Sequence, residues 1–104
     1  MNQQIIIGGK GSGKTTEIIQ LSAENGRYIL VKDKNEADNL AKLAIKLGLN
    51  IPYPVTIQEV GNGKLEGSII RRNGLYVDNA LALLEQMIEV PIVGASINWE
   101  DDDE

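Results

Sequence analysis

Residues 8–15 read Gly-Gly-Lys-Gly-Ser-Gly-Lys-Thr, two glycines five positions apart followed at once by a lysine and a hydroxyl residue. This spacing suits one ligand chemistry, the clustered negative charges of a polyphosphate. Backbone N–H groups can surround a phosphate only where side chains are absent and unusual dihedrals are open, and Gly8, Gly9, Gly11 and Gly13 meet that need. A helix beginning near Lys14 would aim its unpaired N–H groups and positive dipole end at the same point. Lys14 would bring a full charge to the β and γ phosphates, and the Thr15 hydroxyl suits Mg²⁺. The residues expected to hold the ligand are Gly8, Gly9, Lys10, Gly11, Ser12, Gly13, Lys14, Thr15 and Thr16, although Lys10 fits a solvated loop lysine at least as well.

Such a loop needs a carboxylate at the end of another buried strand to hold Mg²⁺ through its water shell. Leu75-Tyr76-Val77-Asp78 has that form, so Thr15 and Asp78 are the expected metal-side residues. Taken alone, the same pattern fits an aspartate that caps the following helix. Asn79 comes next, and an amide can hold a water but cannot take its proton. Lys14, Asp78 and Asn79 make up the expected catalytic set. Arg71 or Arg72 could offer a charge to a neighbouring subunit's γ-phosphate, Glu59 could orient water, and Ser96 and Asn98 are polar groups at a strand end, but each also suits a solvated or capping role. Tyr28, Tyr53, Tyr76 and Trp99 are too scattered for a base-stacking platform.

Composition narrows the rest. The 104 residues include no cysteine and no histidine, which excludes disulfides, thiol catalysis, zinc-finger ligation and histidine base chemistry. With 42% apolar and 24% charged residues the chain should fold as one domain. Of the 15 acids behind the net charge of −5, five lie in residues 100–104, leaving 10 acids against 10 bases in residues 1–99. A domain over residues 1–99 followed by a disordered acidic tail is the expected division. No apolar run is long enough to span a membrane and residues 1–7 do not resemble a signal peptide, so a cytoplasmic location is expected.

The elements that must position these residues alternate. Ile5 to Ile7 reads as a buried strand stopping at glycine, and a helix from Lys14 carries Ile18, Ile19 and Leu21 before Gly26. Tyr28 to Val31 predicts a second strand, and Asn35 offers an N-cap for a helix lined by Ala37, Leu40, Ala41, Ala44 and Leu47 and closed by Gly48. After Pro52 and Pro54, Val55 to Gln58 predicts a third strand; Gly61, Gly63 and Gly67 mark irregular chain. Asn73-Gly74 signals a turn before the Leu75 to Val77 strand, a helix over 79–88 carries Leu81, Leu84 and Ile88 at three-to-four spacing, and Ile92 to Ile97 predicts a last strand. The alternation predicts an α/β domain with a mainly parallel sheet of about five strands.

On these residues the chain resembles the additional-strand P-loop NTPases, and within them the nucleotide-binding half of superfamily-one-type helicases, over most of residues 3–98. Ile5 to Thr15 is similar to the Walker A segment, Leu75 to Asp78 to Walker B, Tyr28 to Leu43 to the strand and helix beginning beside single-stranded DNA, and Val55-Thr56-Ile57 to a threonine-bearing helicase strand. Ile92 to Asn98 looks like the sensor strand ending near the γ-phosphate, which the family places between the strands leading to the loop and to Asp78. The size resembles small P-loop proteins of phages and mobile elements.

The resemblance implies a three-layer P-loop NTPase domain that binds ATP or GTP with Mg²⁺. It implies a weak ATPase acting with single-stranded nucleic acid or a protein partner, with self-assembly a further option; a nucleotide-dependent binding module without useful turnover is the alternative. The chain departs from the family where Asn79 stands in place of a glutamate and where the second motor half of a helicase is missing. A small-molecule kinase is disfavoured, because no lid segment is visible.

Overall fold

The computed structural model describes residues 13–61 and 68–96. Their elements run α1 (Lys14–Asn25), β1 (Ile29–Val31), α2 (Lys34–Lys46), β2 (Val55–Thr56), α3 (Ile57–Gly61), α4 (Ser68–Asn73), β3 (Tyr76–Val77) and α5 (Ala80–Ile88).

Local chemistry sets the helix ends. Gly26, at φ 76°, takes the left-handed conformation that stops α1, and its N–H donates to the Ser22 carbonyl at 2.7 Å. Asp33, with extended backbone, caps α2 in place of the expected Asn35, because its Oδ1 accepts the Glu36 N–H at 2.9 Å. At the other end Gly48 N–H donates to Ile45 and Leu49 N–H to Ala44, the crossed pair of bonds of a Schellman closure. Thr56 and Glu59 form a capping box: Oε1 of Glu59 accepts the Thr56 N–H at 2.9 Å, and Oγ1 of Thr56 accepts the Glu59 N–H at 3.2 Å. That box turns the chain into α3 at Ile57, so the third strand is shorter than the Val55 to Gln58 expected. Gly74 ends α4, its N–H donating to the Ile70 carbonyl at 2.7 Å, and the Asn73-Gly74 signal is therefore a helix stop.

Among the described residues the strands form one parallel sheet of order β2-β1-β3, with Leu30 opposite Val55 and Val77. Ile29 and Val31, on the same face by the two-residue period, join Ile18 and Ile19 of α1 and Ala37, Leu40 and Ala44 of α2 in one buried cluster. Burial of this apolar surface is the main stabilising contribution to the unit. α1 and α2 therefore share a sheet face.

The three strands replace the five-strand, three-layer P-loop domain that the sequence led us to expect. The Ile5 to Ile7 strand lies outside the described residues. The described part of the Ile92 to Ile97 strand, through Ser96, forms no ladder: Val93 is fully exposed, and the Ile92 N–H donates to Glu85 Oε2 at 2.6 Å instead of to a neighbouring strand. Pro91 and Gly94 remove a donor and add backbone freedom in the same stretch. The face of α5 also differs from expectation. Leu81, Leu84 and Ile88 are 48%, 45% and 51% exposed, and Leu83 is the buried residue, at 4%. Among the described residues no helix is long and apolar enough to cross a membrane.

Candidate functional site

Gly13 sits at φ 87°, a left-handed conformation that glycine adopts without strain, and a Cβ there would meet nothing within 4 Å. The glycine is required for its backbone angle, not for space. It is the N-cap of α1 and supplies no side-chain acceptor, so among the described residues the first-turn N–H groups of Lys14, Thr15 and Thr16 have no capping side chain. Such groups can donate to an anionic oxygen. Lys14, Thr15 and Thr16 are each half-buried. Gly8, Gly9, Lys10, Gly11 and Ser12 lie outside the described residues.

The sheet brings the second expected residue to this helix end. Tyr76 N–H donates to the Tyr28 carbonyl and Asp78 N–H to that of Leu30, which fixes the end of β3 beside β1. Thr15 Oγ1 then donates to Asp78 Oδ1 at 3.5 Å, across 63 positions of sequence. This bond is long for O–H···O, so both oxygens keep capacity for another partner. Burial pushes the Asp78 carboxyl above the ordinary aspartate range, while the Thr15 hydrogen bond and the Lys14 charge pull it the other way.

Two hard oxygens at a helix start fit a magnesium ion shared with a phosphate, since Mg²⁺ is usually held by one or two protein groups together with substrate oxygens and waters. Among the described residues no group of three or more acidic, histidine or cysteine side chains could hold a metal without such a ligand.

Beyond the carboxyl ends of β1 and β3 a cleft of about 60 Å³ opens, lined by Val31, Lys32, Glu36, Asp78, Asn79 and Leu83 among others. The chain leaves β1 towards β2 on one side while β3 lies on the other, and such divergence is where open parallel sheets take ligands. Asn79 has left-handed backbone angles, φ 60° and ψ 62°, and is the N-cap of α5 without making a side-chain cap bond. Asparagine tolerates that conformation better than most residues, which gives this position a backbone reason for its amide.

Other sequence candidates fall elsewhere. Glu59 is committed to the Thr56 capping box and lies 3.8 Å from Lys34 Nζ. Arg72 is exposed on α4, Arg71 belongs to the same helix, Ser96 is exposed on irregular chain, and Asn98 and Trp99 lie outside the described residues. Tyr53 bonds the Asp38 carboxylate and carries Lys34 5.1 Å from its ring centre, so its face is occupied from within the chain. Lys32 and Glu36 were not singled out from sequence; the signal for Glu36 was its place three residues after the capping Asp33. No family model, no curated protein and no solved structure matches this chain.

Proposed function

We propose that the chain binds a magnesium nucleoside triphosphate, ATP or GTP, through residues 8–16, as a small P-loop-type protein. The observation that carries this reading is the contact between Thr15 and Asp78, because it joins the hydroxyl of a Gly-Lys-Thr helix start to a half-buried carboxylate at a strand end. A capping aspartate would bond the first turn of its own following helix, whereas the one side-chain hydrogen bond of Asp78 among the described residues goes to Thr15. In this reading the first-turn N–H groups and Lys14 hold the phosphates, while Thr15 and Asp78 hold the metal through oxygen. Magnesium, when bound, supplies charge neutralisation at the phosphates.

Hydrolysis would be slow in the isolated chain, since Asn79 cannot take a proton and the described residues place no arginine at the cleft. A nucleic acid or protein partner, or a second copy, would supply what is missing. A nucleotide-dependent module without turnover is the second reading, favoured by the backbone role of Asn79.

Calorimetric titration with Mg-ATP and Mg-GTP tests the proposal. Binding in the micromolar range by wild type, lost without Mg²⁺ or in Thr15→Ala, is the expected result. Absence of binding to either nucleotide would overturn it.

A further inference from the structure

α5 is turned the opposite way from an ordinary surface helix, which sets its apolar stripe against the core and its polar side in water. In α5 the stripe of Leu81, Leu84 and Ile88 faces out, Met87 beside it is 62% exposed, and only Leu83 is buried. The polar side is tied to the chain's own backbone: Gln86 Nε2 donates to the Lys32 carbonyl at 3.1 Å, and Glu85 Oε2 accepts the Ile92 N–H at 2.6 Å. Those bonds hold the apolar face outward, and a contiguous exposed face of this kind marks an interaction surface.

Charge restricts what can cover it. From Asn73 onward the sequence has eight acids and no lysine or arginine, whereas residues 1–72 hold all 10 bases and seven acids. Glu85, four residues after Leu81 and three before Ile88, lines the edge of the stripe, and Glu89 follows one turn later. An antiparallel two-fold contact of α5 on α5 would bring these acids of one copy beside those of the other, with no base on the helix to compensate them. The complementary surface lies elsewhere on the same molecule. At the end of α2, Ile45 is 77% exposed, with Lys42 three residues before it and Lys46 beside it. Both lysines are exposed, and neither makes an ion pair among the described residues. Leu47, the C-cap of α2, is 42% exposed. An apolar patch rimmed by lysine thus matches an apolar stripe rimmed by glutamate.

We propose that copies of this chain associate head to tail, the end of α2 on one copy docking on the outward stripe of α5 on the next. Ile45 and Leu47 cover the stripe, while Lys42 and Lys46 lie along its Glu85–Glu89 edge. A carboxylate accepts several donors, so Glu85 can keep its bond to Ile92 and still meet a lysine. Because the two surfaces differ, the contact is heterologous, and a pair of copies leaves one α2 end and one α5 stripe unfilled. Growth beyond the dimer follows at high concentration unless a ring closes. The contact uses none of residues 8–16 and not Asp78, so it is independent of nucleotide binding.

Sedimentation equilibrium of the full chain without nucleotide, from about 10 µM to about 1 mM, tests the contact with wild type, Ile45→Glu, Lys46→Glu and Leu84→Glu. All three side chains are exposed, so the variants should melt within error of wild type. The average mass of wild type should rise with concentration past that of a dimer. Each variant alone should stay near monomer mass, because every copy then lacks the same half of the contact. An equimolar mixture of Ile45→Glu and Leu84→Glu should form one-to-one complexes and grow no further, since the first retains the α5 stripe and the second the α2 end. Wild type that stays monomeric over the whole range overturns the proposal, whatever else the stripe binds. Association of Ile45→Glu or Lys46→Glu at wild-type strength also overturns it, in favour of a two-fold contact through α5. So does a mixture of folded variants that remains monomeric.

Discussion

Thr15 Oγ1 lies 3.5 Å from Asp78 Oδ1, and the contact ties the first turn of α1 to the end of β3. Neither residue is near the other in sequence; the parallel ladder between β1 and β3 and the packing of α1 on β1 bring them together. The separation is wide for a hydroxyl–carboxylate bond, and a bridging ion or water would draw closer to both oxygens than they are to each other.

Lys14→Ala should weaken Mg-ATP binding by about 10- to 100-fold, the range for losing a charge-assisted hydrogen bond to phosphate. Its effect on folding should be small, because Lys14 is half-buried at the helix start and takes no part in the core cluster. Calorimetry and a thermal melt separate the two effects. Equal affinity of variant and wild type would remove the lysine from the site.

Asp78 gives the stability a pH dependence of known sign. Burial raises its carboxyl above the unfolded value, so between the ordinary aspartate range, about pH 4, and the raised value the native state holds more protons than the unfolded state. Its contribution to stability is present below that window and lost as pH rises through it. Asp78→Asn should melt higher than wild type at neutral pH and should lack this component of the pH profile. Mg-ATP should reverse the order, stabilising wild type more than the variant. Melts of both proteins over the acidic range, with and without ligand, check the sign.

The legible parts of the fold were those set by short-range chemistry. Gly26 ends α1 where expected because a left-handed stop depends on one residue. The end of β1 was equally clear, but Asp33 and Asn35 are both capable caps, and the extended backbone leaving the strand selects the first. The β-branched run Val55-Thr56-Ile57 argues for strand, but the capping box of Thr56 and Glu59 prevails at Ile57. For α5, helical spacing identified a stripe through Leu81, Leu84 and Ile88 without deciding whether it or Leu83 faces inward. Spacing gives the period of a helix, and only packing gives its phase. Within the candidate site, the pairing of Thr15 with Asp78 was expected from their motifs and the structure brings the two side chains together, whereas Glu36 reaches the cleft only through the way α2 leaves the sheet.

The capping box predicts a stability effect separate from ligand binding. Thr56→Ala removes the acceptor for the Glu59 N–H and the hydroxyl that bonds Glu59 Oε1, and should cost about 1 kcal/mol. Urea unfolding should show a lower midpoint with an unchanged slope. Mg-ATP affinity should stay at the wild-type value, since none of these groups lines the cleft beside Asp78.

Asn79 is where backbone and chemistry can be separated. Its left-handed angles are costly for most residues with a Cβ, by about 1–2 kcal/mol, less for asparagine and not at all for glycine. Asn79→Gly should therefore hold or slightly raise the melting temperature while deleting the amide from the cleft. Asn79→Glu places a carboxylate at the cleft, but it forces glutamate into the left-handed region. It should melt about 4–8 °C below wild type, the shift for roughly 1 kcal/mol in a domain of this size. If position 79 is held for its backbone alone, Asn79→Gly should change phosphate release by less than about 10-fold, well below the general-base range. A larger loss in Asn79→Gly, with its melting temperature and Mg-ATP affinity retained, would assign the water to the amide. Asparagine would then be kept at position 79 for its side chain as well as for its backbone.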